Sequence, residues 1–451
     1  MECTGTLNTG VLALALPCTL TREAHCSGCF WTLLIPLDAL VTTCIADVIS
    51  ARPIIVHSHL RWDFVWQRPQ QLFSRFARSR DVLYVEEPQF LDDVVRPVVD
   101  RSEPQPNVHR IIPQLPSSYR DSESATLTAV RTLLLDLVGA TGELAHRFDT
   151  PIQWFYTPMP APTMLGAFGE GAVVYDCMDE WTQFRFAPAE LVPRERYLLA
   201  RTDVVFASGR ALADAKSRLH DHVHFFGGGV DANHFAAAHD PATNVPVALA
   251  ALRGPVLGYV GVMDERLDYA LLAHVAEHLP DTTLAMVGPV VNVDPRALPQ
   301  RENIHWFGQQ SYEALPAFIK GFDVCLMPFA FNKATRYINP TTTLEYMASG
   351  KPIVSTPVAD VVRHFTPIVT VAETAGGFVR AIREALEGPD VERRQLAIER
   401  ARQSSWESIT DTMTMLMEEA VATRRYQAAF KYERRGLWNR SPSHERAVPR
   451  P

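Results

Sequence analysis

Short apolar runs and amphipathic stretches alternate along most of the chain. In the first half, buried β-strands are predicted at 53–56, 81–85, 152–156, 172–176 and 203–207. Apolar residues between them recur at helical spacing, and helices are predicted at 70–77, 122–144 and 193–200. Because strands alternate with helices, the pattern indicates a parallel, doubly wound α/β sheet.

A second α/β series follows residues 239–254, which contain Pro241, Pro246 and Gly254 and are predicted to be a linker. Its predicted strands are 256–260, 283–287, 304–307, 324–328, 353–355 and 368–371. A chain of 451 residues exceeds one ordinary hydrophobic core, which also favours two domains. Such folds bind ligands at the carboxyl ends of their strands, so the expected site is a cleft between two sheets.

The pattern divides the chain into five parts. Two Rossmann-like domains are predicted at 51–240 and 241–402, followed by a helix at 403–425 with apolar residues at Trp406, Ile409, Met413, Leu416 and Met417. Residues 426–451 are basic and are predicted to form a flexible tail, either solvated or in contact with acidic lipids.

Residues 1–50 fit neither domain. Their apolar runs are interrupted by Pro17, Pro36 and Asp38, and neither reaches the roughly 20 residues that span a bilayer. We expect a dispensable, poorly ordered extension; the alternative is a membrane-surface anchor.

Composition excludes some classes of protein. Hydrophobic residues make up 47% of the chain and charged residues 21%, as in globular proteins, and the net charge of −8 argues against a general nucleic-acid binder. Only Cys177 and Cys325 lie beyond residue 50, which favours a reducing, cytoplasmic setting. The Cys26–Cys29 pair lacks the second pair that would complete a zinc site, and no metal is expected.

The segment 339–356 has the strongest chemical signature. Asn339 and Pro340 end the preceding structure, a helix is predicted to Ser349, and Gly350 suits its C-terminal cap before the next strand. The free N–H groups at the helix start are suited to an anion such as phosphate, and Glu345 faces that end. The alternative is an ordinary α/β unit with no ligand.

Five segments together resemble glycosyltransferases of the GT-B fold, family 4-like, which are the group 1 type of bacterial polysaccharide biosynthesis. They occur in the expected order and cover roughly residues 52–425: HSHLRWDFVWQRPQ (57–70), YDCMDEW (175–181), GYVGVMDERLD (258–268), NIHWFG (303–308) and NPTTTLEYMASGKPIVST (339–356).

This resemblance implies two Rossmann-like domains facing across a cleft, with the final helix crossing back to the first domain. It implies transfer of a hexose-like sugar from a nucleotide diphosphate sugar to a hydroxyl acceptor, which is a saccharide or lipid-linked. It also implies retention of anomeric configuration, no metal or other cofactor, and a role in envelope or exopolysaccharide synthesis, with possible peripheral contact at the inner membrane face.

The resemblance implies a donor site, and Arg266 is expected to neutralise the diphosphate unless it forms a surface ion pair with Asp264 or Asp268. A Lys that often follows this Arg in the family is missing, and Tyr337 replaces a family Glu. The predicted donor-binding residues are Gly261, Arg266, Lys333, Arg336, Asn339, Thr341, Thr342 and Glu345.

On the acceptor side, polar residues crowd the loop after the first strand and the end of the strand near 176. His59, Asp63 and Asp179 are the predicted catalytic residues. Arg61 and Arg68 are predicted to bind an anionic acceptor or phosphate. For each of them, loop packing or ion pairing is the alternative. Asp176, Asp179 and Glu180 lie within five residues, which leaves a metal as an open alternative.

Other functions remain open at this stage. A sugar-nucleotide epimerase of the same fold, or a degenerate domain that binds without catalysis, would show the same motifs. An NAD-dependent oxidoreductase is disfavoured because no GxGxxG follows any predicted strand. The glycines at 227–229 are predicted to form a turn with positive φ.

Overall fold

A computed structural model describes residues 51–184, 187–333, 335–388 and 390–438, with side chains up to Phe430. The N-terminal extension predicted at 1–50 and the tail beyond 438 lie outside the described residues.

The first sheet has nine strands in the order β3-β5-β2-β1-β6-β7-β8-β9, with β4 paired to β5. All pairings are parallel except β4–β5. The strands are β1 (Ile54–His57), β2 (Val82–Val85), β3 (Gln89–Leu91), β4 (Val98–Gln105), β5 (Val108–Pro116), β6 (Ile152–Phe155), β7 (Ala172–Cys177), β8 (Val204–Ala207) and β9 (Val223–Phe225).

The second sheet has six parallel strands in the order β12-β11-β10-β13-β14-β15. They are β10 (Val256–Val260), β11 (Thr283–Val287), β12 (Ile304–Gly308), β13 (Val324–Met327), β14 (Ile353–Ser355) and β15 (Thr370–Val371). The predicted α/β fold with parallel sheets is confirmed.

Helices connect the strands. In chain order they are α1 (Arg68–Phe76), α2 (Glu123–Val138), α3 (Ala161–Met164), α4 (Leu191–Leu199), α5 (Arg210–Lys216), α6 (Ala232–Ala236), α7 (Val247–Ala250), α8 (Tyr269–His278), α9 (Leu315–Lys320), α10 (Thr342–Ala348), α11 (Ala359–Phe365), α12 (Ala375–Leu386), α13 (Val391–Arg402) and α14 (Trp406–Trp438). In the described part of the chain, no helix is both long and apolar enough to cross a bilayer.

Four strands of the first sheet were not predicted from the sequence: β3, β4, β5 and β9. β4 is an exposed antiparallel strand of mostly polar residues, and β5 contains Pro113 and Pro116, which are unusual within strands. Their pairing stabilises a hairpin that the apolar pattern does not reveal.

The final helix packs across the first domain. Trp406, Met413 and Met417 are buried in one hydrophobic cluster with Trp154 and Phe206 of the first sheet, so the predicted crossover is confirmed. The helix was predicted to end at 425, but α14 continues to Trp438. The reason is that residues 424–435 contain no Gly or Pro and are rich in helix-forming Ala, Arg and Gln.

The turn of three glycines was interpreted wrongly. None of the residues Gly227–Gly229 has a positive φ. Instead, a Cβ atom at Gly228 would lie 2.4 Å from Cγ2 of Thr341, and one at Gly229 would lie 2.7 Å from the Trp406 ring. Glycine is required here because the first domain approaches α10 and α14 too closely for a side chain.

Arg68 forms an ion pair, the alternative that the sequence left open for it. Its guanidinium is 3% exposed and forms three hydrogen bonds of 3.0–3.2 Å with Asp176, which is fully buried, and one of 3.1 Å with the Phe226 carbonyl. An anionic acceptor cannot reach it. The predicted binding role is therefore replaced by a structural one, in which Arg68 ties the start of α1 to the end of β7.

Loss of either partner should strongly destabilise the first domain. Asp176→Asn keeps the shape but leaves the Arg68 charge buried and unpaired, so we expect the free energy of unfolding to fall by about 3–5 kcal/mol in urea titrations. Glu143→Gln, which breaks the exposed Arg101–Glu143 pair, is the matched control and should change it by less than about 1 kcal/mol. A loss below 1 kcal/mol for Asp176→Asn would show that the pair is not needed for stability.

Candidate active site

A cleft lies where the carboxyl ends of the two sheets face each other. The loops after β1 and β7 bring His59 and Asp179 to it from the first domain. The loop after β10 brings Arg266, and α10 brings Glu345, from the second. The Arg266 guanidinium lies close enough to Asp179 across the cleft to oppose the rise in the pKa of that carboxyl that burial causes. Asp179 and Arg266 therefore meet across the cleft, whereas Glu345 lies near Tyr312.

The two domains also touch directly beside this site. Asn339 Nδ2 donates a 3.1 Å hydrogen bond to the Ser208 carbonyl, and the Arg210 backbone N–H donates one of 2.7 Å to Asp360. Farther along the cleft, the rings of Trp66 and Tyr312 lie 6.0 Å apart. The Asn339 side chain, predicted to bind the donor, thus holds the first domain against α10.

Two glycines allow the loops after β10 and β11 of the second domain to contact each other. Gly261 and Gly288 have φ values of +151° and +140°. A Cβ atom at Gly288 would lie 2.0 Å from the Gly261 carbonyl oxygen. The chain after β10 can therefore contact the chain after β11 only because Gly288 lacks a side chain.

Arg266 forms an ion pair with Asp264, an alternative that the sequence left open. Three hydrogen bonds of 2.7–3.0 Å join Nε and Nη2 of Arg266 to the carboxylate. Burial opposes the charge on Arg266, but Asp264 outweighs it and holds the pKa of the guanidinium above its ordinary value. The side chain remains 26% exposed, so this cation is fixed in place yet accessible from the cleft. Asp268 is used elsewhere, as the N-cap of α8.

Three acidic residues at the end of β7, Asp176, Asp179 and Glu180, lie in three different environments. Asp176 pairs with Arg68, and Glu180 receives a 2.9 Å hydrogen bond from Nζ of buried Lys216. Asp179 has no such partner among the described residues. Burial raises the pKa of its carboxyl to about 6, although Arg266 opposes the shift. No three His, Cys, Asp or Glu side chains within the described ranges are arranged to hold a metal ion.

His59 lies against Trp181, with ring centroids 4.4 Å apart and edge-to-face geometry. Neither ring nitrogen has a hydrogen-bond partner in the described part of the chain. Burial lowers the pKa of the imidazole to about 4, so His59 is neutral near pH 7 and has a free lone pair.

Arg61 and Asp63 both form ion pairs at the rim, the alternative considered from the sequence. Arg61 donates a 2.9 Å hydrogen bond to Glu86, and Asp63 is paired with Arg110. Arg61 is 36% exposed and remains accessible to an acceptor. Asp63 is 62% exposed, and its neighbouring cation makes it a weaker candidate for a base than Asp179.

Glu345 is the free carboxylate on the donor side. It bears no hydrogen bond or ion pair with any described side chain, and burial raises its pKa to about 7. The helix that carries it has only seven residues, so its dipole is small. Thr341 is the N-cap of α10 but its side chain makes no capping hydrogen bond, and Thr342 is the first helical residue.

The two remaining predicted cations, Lys333 and Arg336, are exposed. The loop that carries Lys333 is tied to the Arg266 loop, since Asn332 Nδ2 donates a 2.8 Å hydrogen bond to the Glu265 carbonyl. Arg336 lies over the ring of Tyr337, 5.7 Å from its centroid. Tyr337, which replaces the family Glu, packs against the hydrophobic core of the first domain rather than facing the cleft.

Sequence reasoning missed several residues of the site. Trp181 packs against His59, and Asp264 had been considered only as a surface partner of Arg266. Trp66 and Tyr312 come from different domains and are more than 240 residues apart in sequence, so no local pattern could pair them. Aromatic residues beside polar loops were the only available signal.

Comparisons with known proteins bear on the family and on the fold. Residues 254–388 match the family described as Glycosyl transferases group 1. A protein of Bacillus subtilis (strain 168) named "Putative teichuronic acid biosynthesis glycosyltransferase TuaH" is 26% identical over 219 residues, which are 45% of this chain and 54% of that protein. The match thus spans about half the length of this curated relative.

Solved structures share the fold at low sequence identity. Sucrose-phosphate synthase from Thermosynechococcus elongatus has a TM-score of 0.63 at 17% identity, over 82% of this chain and 100% of the other. Trehalose-6-phosphate synthase from Burkholderia multivorans has a TM-score of 0.57 at 14% identity, over 83% and 100%. An Escherichia coli structure described as trehalose-6-phosphate bound with UDP-2-fluoro glucose has a TM-score of 0.59 at 13% identity, over 81% and 99%.

The fold is shared with these structures, and the family match covers the domain that carries Arg266 and Glu345. The chain therefore has the GT-B fold, and residues 254–388 of its second domain match the glycosyl transferases group 1 family.

Proposed function

We propose that this protein is a glycosyltransferase that moves a hexose-like sugar from a nucleotide diphosphate sugar to a hydroxyl acceptor. One observation carries the proposal: the cleft brings an accessible guanidinium, Arg266, together with the unpaired carboxyl of Asp179 from the facing domain. The second domain adds the unpaired carboxyl of Glu345. A leaving diphosphate needs the cation, and sugar hydroxyls and an acceptor proton need the carboxyls.

On the donor side, Arg266 would bind the diphosphate and Glu345 would accept hydrogen bonds from ribose hydroxyls. Gly261 and Gly288 place no side chain at this end of the sheet, and Thr341 and Thr342 would add N–H groups. Asp264 offsets part of the Arg266 charge, so a second cation is needed. Lys333 fits this role because its loop is tied to the Arg266 loop, and Arg336 is the alternative. With cations available, we propose transfer without a metal.

On the acceptor side, Asp179 is the better base. With a pKa of about 6 it is ionised near pH 7 yet still holds a proton well, as general base catalysis requires. His59 would orient the acceptor hydroxyl through its free ring nitrogen, and Arg61 would bind an anionic group of the acceptor. Transfer with retention of configuration follows from the family resemblance and is part of the proposal.

The first test is donor binding. Thermal shift with UDP-, GDP-, ADP- and dTDP-sugars should show stabilisation by one nucleotide class, about 2.7 kcal/mol at 100 times the dissociation constant. Arg266→Gln removes a charged contact and Glu345→Ala removes a hydroxyl acceptor, so each should weaken that donor about tenfold or more. Absence of any shift with all four classes would contradict the proposed donor site.

The matched control is Asp179→Asn. It should bind the donor as wild type does but should lose at least about a hundredfold in acceptor-dependent sugar transfer, because the base is removed. Transfer should persist in EDTA, and proton NMR of the product reports the anomeric configuration. Donor turnover without acceptor would favour an epimerase, and binding without any turnover would favour a degenerate binding domain.

The Glu345 carboxyl should make stability depend on pH. Its raised pKa means that, between about pH 4.5 and 7, the folded protein binds more protons than the unfolded chain, so stability falls as pH rises. Glu345→Gln removes this penalty. The variant should be more stable than wild type by about 1–3 kcal/mol at pH 8 and similar to it near pH 4.5, as measured by urea unfolding. Glu313→Gln, at an exposed position of the same domain, should show no such trend.

A lipid-linked acceptor would place the enzyme at a membrane surface, and the end of the chain supports this. Residues 424–451 contain eight Lys or Arg and two Asp or Glu, in a chain of net charge −8. On α14, Tyr426 and Phe430 are 72% and 50% exposed, and their rings stack 6.3 Å apart. Exposed aromatic rings beside basic residues are typical of surfaces that bind anionic lipids.

Vesicle sedimentation tests this contact. Binding to phosphatidylcholine vesicles containing phosphatidylglycerol should exceed binding to pure phosphatidylcholine and should fall with salt. Replacing Tyr426 and Phe430 by Ser should weaken it severalfold, whereas Val247→Ser, at another exposed apolar position, should not. Equal binding to both vesicle types would contradict the contact.

A further inference from the structure

A second cavity lies in the donor domain, away from the cleft. It is bounded by the residues that precede β13, β14 and β15, so it opens at the amino ends of these strands, whereas the cleft lies at the carboxyl ends. Its volume is about 700 Å³. Basic side chains from four separate segments line it: His239, Lys320, Lys351, Arg393 and Arg394. We call this cavity the basic cavity.

Neutral acceptors, rather than carboxylates, hold most of these cations. Lys351 Nζ donates hydrogen bonds of 2.8 and 2.6 Å to the carbonyls of Lys320 and Phe322. Lys320 Nζ donates to the Asp240 and Thr243 carbonyls at 2.6 and 2.7 Å. Arg394 Nη2 lies 2.9 Å from Nδ1 of His239. Carbonyls and a neutral imidazole fix a cation in place without cancelling its charge.

The carboxylates that line the cavity either have other partners or are exposed. Asp390 pairs with Arg393, and Asp323 accepts a 2.7 Å hydrogen bond from the Val256 N–H. Glu384 is exposed. Among the described residues, Lys320, Lys351 and Arg394 have no carboxylate within ion-pair distance. Burial lowers the pKa of Lys351 and nearby Arg394 and Lys320 add to the shift, although Cys325 and Asp323 oppose it.

A glycine in the backbone makes room for the Arg394–His239 pair. Gly350 has φ +60°, and a Cβ atom there would lie 2.9 Å from both the Arg394 Nε and the His239 Cε1 atoms. Glycine therefore lets the Arg394–His239 pair lie directly over the turn that leads to Lys351. Three preorganised cations around a cavity of this size match a multiply charged anion, which would relieve their mutual repulsion.

We propose that the basic cavity is an accessory binding site for a phosphate-bearing small molecule, separate from the donor site in the cleft. Lys320, Lys351 and Arg394 would bind the phosphate oxygens. The site does not depend on the proposed transferase activity, because no residue of the cleft takes part in it.

Calorimetric titration with inorganic pyrophosphate tests the site. The titration is done in the Arg266→Gln background, where binding in the cleft is weakened. Saturable binding should remain there. Adding Arg394→Gln or Lys320→Gln should weaken it about tenfold or more, because each removes a charge-assisted hydrogen bond to phosphate. Arg363→Gln, which removes an exposed cation elsewhere in the same domain, should leave it within twofold.

Three results would overturn the proposal. One is no saturable binding in the Arg266→Gln background. Another is binding that Arg394→Gln and Lys320→Gln leave intact. The third is equal weakening by Arg363→Gln, which would indicate only general attraction to positive charge. Arg394 is exposed and Lys320 is half-buried at the end of α9, so the Arg394→Gln variant remains informative if Lys320→Gln fails to fold.

Discussion

The buried ion pair between Arg68 and Asp176 is the interaction on which the cleft depends. It joins the start of α1 to the end of β7, and Arg68 also holds the Phe226 carbonyl near the domain junction. Because both charges are removed from water, the geometry is strict: neither partner can move without leaving a buried charge unpaired. The loop that leads into α1 carries His59, and the loop that follows β7 carries Asp179.

A second buried cation supports the same region. Lys216 bonds Glu180 at 2.9 Å and Glu195 at 2.7 Å, and Tyr175 donates to Glu195 at 2.7 Å. Glu180 lies between Asp179 and Trp181, so this network fixes the loop that presents both of them. The acids next to Asp179 are thus used for structure, which leaves Asp179 as the unpaired carboxyl facing the cleft. Its pKa of about 6 follows from that burial without a partner.

Charge pairing also fixes a side chain on the other side of the cleft. Asp264 orients Arg266 and Asp179 faces it, while Glu345 stays unpaired. One fixed cation and free carboxyls would suit the proposed nucleotide-sugar donor, which carries both phosphate and hydroxyl groups. Tyr337, which stands where the family has a Glu, instead packs into the first domain's core and adds to the contact between domains. A packing contact therefore stands where the family has a polar side chain.

The sequence by itself determined the parallel α/β architecture, because buried strands and amphipathic helices have distinct apolar periods. It also located the segments that carry Arg266, Asp179 and Glu345, since loops at strand ends and the start of α10 are marked by polar residues and Pro. Only the tertiary structure decided which charged residues are free. Arg68 and Asp176 are 108 positions apart, and Trp66 and Tyr312 lie in different domains, so no local pattern encodes these pairs. Whether a carboxylate is a structural partner or a free group depends on burial and on the nearest cation, and both are set when distant segments pack together.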